Sequence, residues 1–196
     1  MNIINGNGFK YDPDHVFFTS DTHFGHANII RFCKRPFENV EEMNEVLIEN
    51  WNKVVSDDDT VFHLGDFAFG GFPYWEAIRL RLNGHINLIL GNHCIHNVNR
   101  QNSERLGKMF DWVGEMLTIH INRRPIILSH YPLRCYPDGY WNLFGHIHSG
   151  PNSTSKDVLE NVFKSTQYDV GVDNNNFTPI SYKQIKLIIQ LENGSV

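Results

Sequence analysis

Apolar residues along this chain fall into short, nearly continuous runs separated by stretches of helical periodicity. The runs are "HVFFTS" (15–20), "TVFHLG" (60–65), "INLILG" (86–91), "LTIHI" (117–121), "PIILSH" (125–130), "WNLFGH" (141–146), "YDVGV" (168–172) and "QIKLIIQL" (184–191). Rich in Val, Ile and Phe, they predict strands, several of them covered on both faces. In "VEEMNEVLIENWNKVV" (40–55) the apolar positions Met43, Val46, Leu47, Trp51 and Val54 follow helical spacing, with acidic residues in the first turn where the macrodipole favours them. A second helix is predicted from Pro73, in its first turn, to Leu82, and a third over 103–110. Strands alternating with helices predict an α/β fold, read here as one domain over residues 1–196.

The polar residues at the ends of these runs change the picture. Asp21 and His23 follow the first run, Gly65-Asp66 the second, and Gly91-Asn92-His93 the third. His130 closes "PIILSH", and Gly145-His146-Ile147-His148 closes "WNLFGH". Ligands bind at the carboxyl ends of strands in open α/β sheets, so these side chains are expected at one edge. Asp21 and His23, like His146 and His148, sit two apart and can face the same side. Imidazole mixed with carboxylate suits manganese, iron, zinc or nickel, while soft sites want thiolates. A carboxylate can bridge two ions held about 3.5–4 Å apart. The neutral amide of Asn92 keeps such a site positive enough to attract phosphate. The glycines before Asp66, Asn92 and His146 allow sharp turns and close backbone approach.

In this order, D-x-H, G-D, G-N-H, H and G-H-x-H resemble the calcineurin-like metallophosphoesterase family, read here as "SDTHFGH", "HLGDFAF", "ILGNHC", "LSHYP" and "FGHIH". The late "YDVGVDNNNFTPIS" is similar to the end of small bacterial and phage members, so the likeness spans about residues 16–182. It implies a four-layer αββα sandwich, two mixed β-sheets flanked by helices. It also implies two divalent metal ions, manganese first, with iron, zinc or nickel as alternatives. Carried over by position, Asp21, His23 and His148 would hold one ion, Asn92, His130 and His146 the other, and Asp66 would bridge them. His93 would stand beside the scissile phosphate, to stabilise the transition state or protonate the leaving alkoxide. Asp66, Asn92 and His93 are thus the catalytic candidates. The implied activity is hydrolysis of a phosphate ester by hydroxide. A small or nucleotide-like phosphodiester is the expected substrate, because the sequence shows no cationic cluster to hold a dianionic monoester and leaves no room for a large cap over the site. One position departs from the family: Cys94 stands where Asp or Glu usually follows G-N-H. A carboxylate there would orient the histidine and raise its pKa, which a thiol does less well.

Other residues carry weaker signals. His26 could cap the helix starting near Asn28 or meet a substrate phosphate, and Arg31 and Arg35 could reach one. His63, alternating with Phe62 and Leu64, reads as a core histidine; His15, His85, His96 and His120 read as structural. Cys33 and Cys135 read as buried thiols. "YPLRCYPDGYW" (131–141) is aromatic enough for base stacking, although a packed loop is favoured. "SGPNSTSKD" (149–157) reads as a loop, and the polar "HCIHNVNRQNSERLGK" (93–108) could wall the site.

Composition narrows the classes. A formal charge of −5 disfavours a protein that coats long nucleic acid. The three cysteines are scattered and odd in number, unlike a disulfide framework, which suits a reducing cytoplasm. No secretory signal is visible at the N-terminus, and no apolar run approaches the about 20 residues that span a bilayer. The expected setting is therefore cytoplasmic, without a membrane partner; the oligomeric state is not encoded in these features. The alternatives are a phosphomonoesterase, a nuclease, which would want a basic groove, and a non-catalytic scaffold, which would lack ligands.

Overall fold

The computed structural model describes residues 11–94, 103–151 and 163–192, with single positions at 153, 156, 158 and 194. Two mixed sheets pack face to face and are flanked by helices, an α/β sandwich. In the first sheet β1 (Val16–Thr19), β2 (Thr60–His63), β3 (His85–Ile89) and β4 (Trp112–Gly114) run parallel, and the short β9 (Ile180–Ser181) pairs antiparallel with β1. In the second sheet β6 (Arg124–Ser129), β7 (Trp141–Phe144) and β8 (Gln167–Asp169) are parallel, and β5 (Met116–Ile121) is antiparallel to β6.

Strand alternation explains the nearly continuous apolar runs. Val16, Phe18, Phe62 and Leu64 face the second sheet, meeting Ile119, Ile121, Ile126, Leu128 and Leu143. Phe17 and Val61 turn the other way, onto helices α1 (Ala27–Phe32), α2 (Val40–Val54), α3 (Phe72–Arg79) and α4 (Ser103–Met109). Both faces of β1 and β2 are covered, so neither can alternate with polar residues. On α2, Met43, Leu47, Ile48 and Trp51 form the buried face, and the Asn39 side chain caps its N-terminus by accepting the Glu42 N–H at 2.8 Å. The second predicted helix stops at Arg79, short of Leu82.

One predicted strand is a helix. Residues 184–191 belong to α5 (Tyr182–Glu192), where Tyr182, Ile185 and Ile189 are buried while Leu187 and Leu191 are each 56% exposed. The buried set recurs at helical spacing and inserts beside β1, β9 and β8 into the core between the sheets. The segment 149–157 lies partly outside the described residues, as does half of 93–108, His96 included. Among the described residues no helix is long and apolar enough to cross a membrane.

The parallel strands of both sheets end at a shared rim. The chain after β1 runs on beside the chain after β2, through Asp21 N–H to Gly65 O and His23 N–H to Asp66 O, both 3.0 Å. A parallel bridge between Ser20 and Gly171 ties the end of β1 to the segment after β8, in the other sheet.

Candidate metal centre

Asp21 and His23 follow β1, Asp66 follows β2, Asn92 and His93 follow β3, His130 follows β6, and His146 and His148 follow β7. At the rim they come together. Ligand atoms of Asp21, His23 and His148 lie within 4.8 Å of one another, and so do those of Asp21, Asp66 and His130. Asp21 is common to both groups, and Asp66, in the second, also faces the first: its Oδ2 is 3.8 Å from His23 Nε2 and 3.5 Å from His130 Nε2. Asn92 Oδ1 is 2.9 Å from the same His130 nitrogen, and the His146 ring packs 5.1 Å from that of His130. His93 donates its backbone N–H to Asp66 Oδ1 at 2.9 Å, and its exposed ring stands 5.5 Å from that of His23.

The backbone is bent to make this cluster. Asp21, His23, Asp66, His146 and His148 all have φ between 49° and 72°, the left-handed region that side chains other than glycine seldom occupy. Such strain gathers where function holds it in place. Close approach matters as much: a Cβ on Gly145 would lie 2.1 Å from Ser20 Oγ and 2.4 Å from Asp21 Oδ2. That space lets the His146 N–H reach Asp21 Oδ2 at 2.8 Å and join the two sheets.

The donor set fits divalent cations. Asp21 Oδ1 and both ring nitrogens of His23 are buried without a hydrogen-bond partner, an arrangement that costs free energy unless something else satisfies them. Two of the other imidazoles are oriented by a bond at Nδ1. His130 Nδ1–H donates to the Leu64 carbonyl at 2.8 Å, and His148 Nδ1–H donates to Asp173 Oδ2 at 2.7 Å. Each bond leaves Nε2 for the centre, as carboxylate and carbonyl partners do for metal-binding histidines.

Electrostatics follow from the geometry. Burial, reinforced by positive charge on His148 and Arg35, holds His23 well below the usual imidazole range. Burial also works against protonating His148, but the Asp173 carboxylate outweighs it and pushes the imidazole up to about 11. Histidine binds a cation through an unprotonated nitrogen, so binding should weaken in acid. Burial would raise Asp66, but the His130 hydrogen bond and charge hold it below the usual carboxylate range; His130 is raised in turn.

A cavity of about 390 Å³ opens over this floor, lined among others by His23, His26, Asp66, Asn92, His93 and His148. His26 occupies the N-cap position of α1, yet its side chain makes no capping bond; the ring instead stacks on Phe69, centroids 3.8 Å apart. Arg31 is exposed, with its guanidinium 5.2 Å from the centroid of the Phe32 ring rather than among the clustered side chains. The segment 131–141 is less packed than expected: six of its eleven residues are exposed and Trp141, in β7, is the buried one. Tyr131 is 48% exposed, its ring centroid 4.5 Å from that of His146.

The cysteines divide differently from expectation. Cys94 lies buried in the helix-side core, which pushes its thiol up to about 11. Cys135 is exposed, because it sits on the loop before β7, and Cys33 is half-buried in the cavity wall. His15 and His85 pair at the surface with Asp59 and Asp111.

Sequence reasoning missed the supports beneath the cluster. Arg35, read from sequence as able to reach a substrate phosphate, is instead buried: it holds both Asp173 oxygens at 2.9 and 2.8 Å and donates to the Asp21 and Thr22 carbonyls at 2.7 and 3.1 Å. Asp169 accepts the N–H groups of Ser149 and Gly171; burial, with Asp21 nearby, pushes its carboxyl up to about 6. The acidic "DVGVD" run was the available signal for both aspartates.

His63 is a core histidine, as its alternation implied. Thr22 Oγ1 donates to the Phe67 carbonyl at 2.7 Å, so His63 Nε2–H donates to Thr22 Oγ1 at 2.9 Å. Burial lowers its pKa to about 3. The unfolded chain, with its histidine near 6.5, therefore binds the proton first, and this contribution to stability is lost as pH falls from about 6.5 towards 3. Urea unfolding of chelator-treated protein should lose about 2 kcal/mol less between pH 7 and pH 5 in His63→Leu than in wild type. Equal losses would refute this assignment.

No family model matches the chain. Uncharacterized protein MJ1445 of Methanocaldococcus jannaschii is 38% identical over 187 residues, covering 92% of this chain and 93% of its own length. Gene 66 protein of Mycobacterium phage L5 is 29% identical over 188 residues, covering 81% of this chain and 86% of its own. Among solved structures, the protein of unknown function AQ665 from Aquifex aeolicus superposes with a TM-score of 0.64 at 28% identity, over 88% of this chain and 98% of that one.

Proposed function

This chain belongs to the same family as Methanocaldococcus jannaschii MJ1445, and from that starting point we propose that it is a binuclear metal-dependent phosphohydrolase of the calcineurin-like metallophosphoesterase type. The observation that carries the reading is the unsatisfied set at its centre: Asp21 Oδ1 and both His23 ring nitrogens, buried without hydrogen-bond partners among converging ligand side chains. Asp21, His23 and His148 would hold one divalent ion, and Asn92, His130 and His146 the other, with the Asp66 carboxylate shared between them. Such ions, manganese first, would supply a strong nucleophile at neutral pH and offset charge developing on the phosphoryl oxygens.

The chain's own groups do the rest. Asp173 and the Leu64 carbonyl orient the His148 and His130 rings. His93, exposed at the cavity and tied through its backbone to Asp66, donates to the leaving oxygen. His26 stands on the wall formed with Phe69, within reach of a non-reacting phosphoryl oxygen. The substrate is a phosphodiester of small or nucleotide-like size. Among the described residues lining the cavity there is no lysine or arginine to match the second charge of a monoester.

The test is hydrolysis of bis(p-nitrophenyl) phosphate and p-nitrophenyl phosphate by metal-stripped protein, before and after reloading with manganese. Activity should return with manganese and favour the diester. Preference for the monoester would overturn the diesterase reading; cleavage of linear single-stranded DNA at a comparable rate would make the protein a nuclease. Failure to bind any divalent ion would sink the proposal as a whole.

A further inference from the structure

The cavity has two unlike sides. Its floor is imidazole, carboxylate and amide. One wall, formed by α1, is apolar: Ile29, Phe32 and Cys33 recur at i, i+3 and i+4 and so share one helix face. Ile29 is 4% exposed and anchors that face in the core, whereas Phe32 is 57% exposed. A phenyl ring gains by burial, and here it is left open directly above a polar floor. The Arg31 guanidinium lies over the Phe32 ring, 5.2 Å from its centroid, and is not among the residues lining the cavity, so it covers one face of the ring from outside.

We propose that this wall is a stacking subsite for the base of a nucleoside phosphoester, with the cavity-facing surface of Phe32 as the platform. This rests on the phosphohydrolase reading and names the substrate class of the same site. A phosphate on the floor fixes one end of such a ligand, and the cavity's about 390 Å³ is the size of a small-molecule pocket. An alkyl ester would touch Phe32 along a line, whereas a nucleobase lays a flat π-face on the exposed ring and buries more of it. Recognition by one aromatic face is tolerant of base identity, so the subsite selects nucleotides over sugar phosphates without strong preference among bases.

The experiment is calorimetric binding to the manganese-loaded protein of two singly charged methylphosphinates that cannot be turned over, the CH₂–P(O)(O⁻)–CH₃ analogues of the methyl esters of AMP and of ribose 5-phosphate. Wild type should bind the nucleotide analogue roughly 5- to 150-fold more tightly than the sugar analogue. Phe32→Ala should abolish that ratio while leaving the sugar analogue's affinity unchanged, and Phe32→Tyr should keep it. Equal affinities in wild type, or equal loss of both ligands in Phe32→Ala, would overturn the subsite. Hydrolysis of bis(p-nitrophenyl) phosphate measured on the same preparations separates the two readings. Turnover without the binding ratio defeats the subsite alone, and the ratio without turnover defeats the phosphohydrolase assignment alone.

Discussion

Asp66→Asn is expected to lower diesterase activity by well over about 100-fold, beyond the range seen when only a partner of a metal ligand is lost. The substitution is nearly isosteric. Its amide oxygen can still accept the His93 N–H that Asp66 Oδ1 receives at 2.9 Å, so the loop after β3 keeps its anchor. What changes is the Oδ2 side, which faces His23 Nε2 at 3.8 Å and His130 Nε2 at 3.5 Å. An amide NH₂ there donates where an anion was needed and cannot bridge two cations. Metal analysis should therefore find at most one ion per chain in place of two, while circular dichroism remains that of wild type. Full metal content with full activity would remove Asp66 from the centre.

The largest effect on stability is expected from Arg35→Met. The Arg35 side chain is fully buried and binds Asp173 with two parallel hydrogen bonds, while also satisfying the carbonyls of Asp21 and Thr22. Methionine has comparable length but donates nothing. It leaves two buried carbonyls unpaired and the Asp173 carboxylate with His148 as its remaining charged partner, a loss of about 3–5 kcal/mol. Denaturant unfolding measures it directly. Arg35→Lys should recover only part, because an ammonium cannot reproduce the planar fork. The double variant Arg35→Met, Asp173→Asn should be more stable than Arg35→Met alone, since it removes the stranded charge. A cost below about 1 kcal/mol for Arg35→Met would mean the pair is replaceable packing.

The strand ends were the most legible part of this chain. A strand buried on both faces has little use for Asp21, His23 or His130 unless they do chemistry, so their residue types at those places were informative by themselves. The supports were not legible for the opposite reason. Arg35 in "FCKRPF" looks like any basic residue near a helix end, and its burial is decided by Asp173, 138 positions away. The last helix was misread because Ile185, Leu187, Ile188, Ile189 and Leu191 form an unbroken-looking run. Only burial shows that Ile185 and Ile189 face the core while Leu187 and Leu191 do not. The strands β4 and β9, of three and two residues, are too short to carry a period of their own. The left-handed backbone at Asp21, His23, Asp66, His146 and His148 leaves no mark in a sequence, because none of these is a glycine.

That backbone also sets the direction in which such a protein would change if its ligands ceased to be needed. Each left-handed aspartate or histidine works against the fold by about 1–2 kcal/mol, and glycine at the same place would relieve it. Selection for stability and selection for ion binding thus pull oppositely at these five positions. A lineage released from catalysis would accumulate glycine or asparagine there before its core eroded, becoming sturdier as it fell silent. Where the ligands persist, they do so against the preference of their own backbone.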